Sequence, residues 1–148
     1  MNSPRFRYLA LLGIALMGMA VGCSSGNGLQ TYPISGTASY GEKPIPRGSI
    51  TLIPDAQKGN SGAAVSIEII DGRFDSSSSQ RGHVGGPHIA RVVGLDGNGD
   101  GDLSPKGQML FPDYEMEIEL PETASKQDIV VPGDLKLPKT RTSSGRGA

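Results

Sequence analysis

Apolar residues in this chain recur at alternate positions in short bursts, the period of a half-buried strand and not of a helix. The cleanest burst is YEMEIEL, where Tyr114, Met116, Ile118 and Leu120 share one side and Glu115, Glu117 and Glu119 the other. That pattern predicts a strand with one face on a core and one in water. AAVSIEII repeats it, with Val65, Ile67 and Ile69 set against Ser66, Glu68 and Ile70. In GSITLIP, Ile50 and Leu52 alternate with Thr51 and Ile53. YPISGTASY, HIARVVGL and DIVVP supply further β-prone runs.

Turn chemistry separates these runs. GEKPIP joins the strands on either side of it, and Asp71-Gly72 is a hairpin signal that sends the chain back through Arg73-Phe74. Asp55 to Gly62 and the Ser-rich SSSSQRGHVGGP read as loops. The stretch from Asp96 to Pro112 is the longest irregular segment and exceeds the usual loop length of a compact domain, which marks it as functional or mobile. About seven short antiparallel strands with close turns predict an all-β fold, a single antiparallel Ig-like β-sandwich of two layers.

Composition agrees with strands: 22 Gly and 11 Pro punctuate the chain, there is no Trp, and no helical stripe accompanies them. A net charge of −1 provides no basic field for nucleic acid. The amino end changes the picture more. Arg5 and Arg7 precede an apolar run, Leu9 to Val21, that is shorter than the roughly 20 residues a spanning helix needs. It ends at Cys23, the one cysteine of the chain.

Ala20-Val21-Gly22-Cys23 resembles the lipobox of bacterial lipoprotein precursors, with Ala20 where Leu is commonest. The resemblance implies cleavage before Cys23, a diacylglyceryl thioether on its sulfur and an acylated new amino terminus. Two or more acyl chains anchor stably where one holds only marginally. A plain secretory signal with an incidental cysteine and an uncleaved helix are the alternatives. An exported domain that used disulfides would need a second cysteine. The expected organisation is a signal peptide (1–22), a flexible polar tether (23–31), a β-sandwich domain (32–132) and a disordered basic tail (133–148). In the tail Lys136, Lys139, Arg141 and Arg146 face a single Asp134. It reads as a solvated end, or as a weak, salt-sensitive contact with anionic envelope polymers.

YPISGTASYGEKPIPRGSITLIP, DGRF, GPHIARVVGLDG and LFPDYEMEIELP, in that order, resemble small planctomycete-type bacterial lipoproteins with a carboxypeptidase-regulatory-like, transthyretin-like domain. The resemblance covers most of residues 32–132. It rests on turn and core positions such as Gly36, Gly41, Pro44, Gly48, Gly72 and Phe74. It implies a prealbumin-like sandwich that does no chemistry itself, and it carries no catalytic residue over.

Candidate chemistry is sparse. His83 and His88, the only histidines, flank a Gly-rich loop without an acidic third ligand close in sequence. They read as a metal pair or as part of a solvated loop. The three alternate glutamates read as a solvated strand face. One motif carries chemistry: Asp96, Asn98, Asp100 and Asp102, with Gly101 and Leu103, match the first eight positions of an EF-hand-type calcium loop. Position 12 is Gly107 instead of the bidentate Glu, and Pro105 falls where an exit helix would begin. The loop is therefore either an acidic hairpin kept soluble by charge or a weak calcium site completed by a carboxylate such as Asp113 or Glu115.

The expected protein is a non-catalytic, lipid-anchored module outside the cytoplasm, held in the bacterial cell envelope through Cys23. Its expected partner is an envelope protein or polysaccharide and not nucleic acid. The alternative is a calcium-dependent binding module, for instance for carbohydrate; a hydrolase accessory stands behind both.

Overall fold

The computed structural model describes residues 29–77, 81–99, 101 and 104–138. Cys23 with the leader, Asp100, Asp102 and residues 139–148 lie outside the described residues. Eight strands follow in chain order: β1 (Ile34–Tyr40), β2 (Lys43–Pro44), β3 (Arg47–Pro54), β4 (Val65–Ile70), β5 (Arg73–Asp75), β6 (Gly86–Leu95), β7 (Tyr114–Leu120) and β8 (Ser125–Val131). A 3-10 turn spans Ala56–Lys58 between β3 and β4. The all-β expectation holds.

β3 organises the sheet. It pairs antiparallel with β4 on one side and β6 on the other, and β7 flanks β6. The registers turn the alternation of the sequence into rows across four strands. Ile67, Ile50, Val92 and Tyr114 lie side by side, as do Val65, Leu52, Ala90 and Met116. Had one strand slipped by a residue, its whole apolar set would face water. Ile50, Leu52, Ala90 and Val92 are fully buried, whereas Tyr114, Met116 and Ile118 on β7 are half-buried because β7 ends the sheet.

The chain turns from β4 into β5 at Asp71-Gly72. Both residues have positive φ (49° and 74°), the pair of values that a two-residue hairpin turn of matching twist requires. β5 then pairs with β1, and β1 pairs with β2 beyond it. Ile34, Ala38, Phe74, Ile129 and Val131 from this end join the β3, β4 and β6 residues in one buried cluster. A sheet whose two ends share one core is curled around it.

Two features depart from expectation. The pairing of β1 with β8 is parallel, from Ile34 opposite Ser125 to Tyr40 opposite Val131, so the sheet is not wholly antiparallel. β7 runs towards the end of the sheet where β1 begins, and the short link Pro121–Ala124 delivers the chain there. A strand that starts beside Ile34 must then run the same way as β1.

The other departure is Phe111, within the stretch expected to be irregular. It is fully buried, with its ring 5.0 Å from that of Tyr40. Beyond β8, Leu135 is half-buried against the core, and its carbonyl accepts a hydrogen bond from the Tyr40 hydroxyl. The described part of the segment read as a tail thus begins with packed structure.

Candidate functional site

The acidic loop leaves the end of β6. Leu95 forms an isolated bridge with Met109, so the ladder continues one step and the loop closes at a narrow neck. Asp96 holds that neck. Its backbone N–H donates to Gln108 O at 2.9 Å, and its Oδ1 accepts from the N–H groups of Asn98 and Gln108, both at 2.9 Å. Those donors, Asn98 first and Gln108 next, hold the Asp96 carboxyl below the usual carboxylate range.

Gly107, opposite, has φ +92°, and a Cβ there would lie 1.9 Å from Asp96 Oδ1. The twelfth position of the calcium-like pattern therefore has no room for a side chain, let alone a bidentate one. Of the four candidate ligands, Asp96 and Asn98 lie together at the neck, and Asp100 and Asp102 fall outside the described residues. Among the described residues, no three His, Cys, Asp or Glu side chains gather as a metal-binding group. Glu115, named as a completing carboxylate, is bridged to Arg91 of β6 at 2.7 Å. Glu117 pairs with Lys58 at 2.6 Å, so the exposed acidic face of β7 is partly neutralised.

The histidines lie at the opposite end of β6, and here the expectation of a solvated loop is corrected. Both imidazoles are only 1% exposed, with ring centroids 6.0 Å apart and edge to face. His88 is in register with Ile118 of β7, on the core face. His83 is held by the bridge to Tyr32, whose N–H and C=O exchange hydrogen bonds with it at 2.8 and 3.0 Å. Burial pushes the His83 pKa down, and the neighbouring His88 adds to the effect.

A serine stands within reach of this ring, Ser125 Oγ at 3.3 Å from His83 Nε2. The hydrogen-bond network decides what the pair can do. Gly85 N–H donates to His83 Nδ1 at 3.1 Å, which leaves the ring proton on Nε2, pointing at the serine. A general base must offer the serine a lone pair, and this ring offers a proton. His88 takes the other tautomer, with Nδ1 donating to Gly86 O at 2.9 Å. The pair is arranged as a buried support where the chain enters the sheet. Its burial was not legible because glycines and short polar residues surround it in sequence.

A groove of about 640 Å³ opens where β4 and β5, paired only at Ile70 and Arg73, diverge. Ser35, Thr37, Glu68, Asp75 and Lys126 are among its lining residues. Its carboxylates are engaged already: Glu68 by Lys106 at 2.8 Å and Asp75 by the N–H of Ser77 at 2.8 Å. No protein-family model, curated protein or solved structure matches this chain.

Proposed function

We propose that this protein is a non-catalytic, lipid-anchored component of the bacterial cell envelope, of the planctomycete-type lipoproteins with a carboxypeptidase-regulatory-like, transthyretin-like domain. Its curled sheet serves as a prealbumin-like sandwich that holds a binding surface away from the membrane. One observation carries the reading: the two ends of the domain are different. The chain enters at Leu29–Tyr32, beside His83 and the start of β6, whereas the acidic loop follows the far end of that strand. The ten residues of β6 span about 30 Å at roughly 3.3 Å per residue. A domain tethered through Cys23 presents loop 96–108 outwards, where an envelope protein or polysaccharide can reach it.

Replacing Cys23 with Ser in the full chain tests the anchor. The expected result is release from the membrane fraction or accumulation of unprocessed precursor, because the acyl chains have no other attachment point. Wild-type protein that is water-soluble and carries no acyl mass overturns it.

A second reading, calcium-dependent binding, draws on the ionised Asp96 carboxylate at the loop neck. In it Asp96, Asn98, Asp100 and Asp102 supply the oxygens, in the weak range of extracellular modules. Calcium would then raise the Tm more than magnesium at equal ionic strength. Identical melting curves in the two cations remove this reading.

A further inference from the structure

The end of the domain at which the chain enters bears a shallow apolar groove of about 520 Å³. Leu29, Ala63, Ala64 and Val84 line it, with Arg81 adding a cation. Leu29 is 61% exposed, so its side chain is open to contact from outside the domain. The groove has a fixed shape. Asn60 Nδ2 donates to Gly85 O at 2.9 Å and to Pro87 O at 2.7 Å, clamping the loop before Ala63 to the segment that carries Val84.

We propose that this groove is the surface on which the domain sits against the lipid bilayer that holds Cys23. The inference rests on the lipid anchor proposed above. Six residue steps separate Cys23 from Leu29, a reach of at most about 20 Å. The groove therefore cannot move farther than that from the anchored sulfur, and the exposed Leu29 is itself part of it. The apolar contact is small and would not hold a free protein on a membrane. Tethering changes this, since a short linker raises the effective concentration of the surface to about millimolar and lets a weak contact orient the domain. Leu29 and Val84 enter the boundary between headgroups and acyl chains. Docked this way, β6 points away from the membrane and the acidic loop is displayed at the far end.

The test uses the full acylated chain in vesicles of phosphatidylcholine and phosphatidylglycerol. An environment-sensitive fluorophore is attached to the Ala63→Cys variant or, at the other end, to Lys43→Cys; Cys23 is unreactive because its sulfur is a thioether. A label on position 63 is expected within about 10 Å of the acyl boundary, blue-shifted and quenched by spin-labelled lipid about twofold more than one on position 43. Adding Leu29→Glu and Val84→Glu should abolish that difference while the acyl mass and membrane recovery stay unchanged. Equal quenching at both positions in protein whose acylation is confirmed by mass overturns the docking and leaves the anchor standing. Unacylated protein in the soluble fraction overturns both.

Discussion

His83 and Phe111 show how much a single side chain decides here. His83 is held neutral by burial, with its folded-state pKa below the ordinary 6.5. Above that value both folded and unfolded states are neutral at this ring, so it contributes no pH dependence. As pH falls below it, the unfolded chain binds a proton that the folded ring resists, and stability is lost. The Tm of the wild type should therefore drop between pH 7 and pH 5 more steeply than that of His83→Gln, whatever their absolute values. Parallel profiles would refute the assignment. Phe111, inside a stretch that the sequence marks as irregular, is a fully buried core residue. Phe111→Ala should cost about 3–5 kcal/mol in urea denaturation, where a loop residue would cost almost nothing. The hint was there in Met109-Leu110-Phe111, an apolar run closing a mostly polar segment, but alternation was absent and composition outweighed it.

Among the elements, β4 and β7 were legible residue by residue, because each sets apolar residues at alternate positions on the core face, with Ile70 of β4 the one apolar residue on the outer side. β8 was legible only in part. DIVVP marks its end, yet the strand begins at Ser125 with polar residues, and its partner is β1, distant in sequence. Gly36 is where that pairing is tightest: a Cβ there would meet Gln127 O at 1.6 Å and the Phe74 ring at 3.1 Å. Gly36→Val should push β8 away from β1 and lower the Tm. Hydrogen exchange should show the loss of amide protection concentrated in Ser125–Val131. Ser35→Val, one residue away on the other face of β1, should change stability by no more than about 0.5 kcal/mol. Protection in β8 that survives Gly36→Val would mean that the parallel pair is not closed against that glycine.

At the scale of the whole molecule the core is completed by a segment beyond the last strand. Leu135 packs on it and accepts the Tyr40 hydrogen bond, so truncation after Pro132 should melt at a lower temperature than truncation after Pro138. Equal melting temperatures would make that contact dispensable. The acidic motif was legible as a string of oxygen-bearing residues, but the crowding of Gly107 against Asp96 was not, since it depends on how the neck closes. The alternation of apolar and polar side chains determined by itself that the chain is all-β, which strand faces are buried, and where the Asp71-Gly72 hairpin turns. These are local properties, set by a two-residue period and by the φ values that a turn demands. Only the tertiary structure decided that β8 joins β1 in parallel, that the sheet curls over one core, that both histidines are buried, and that the chain's entry and the acidic loop occupy opposite ends. Each of these depends on which distant strand lies alongside, and alternation records the face a residue takes without recording its neighbour.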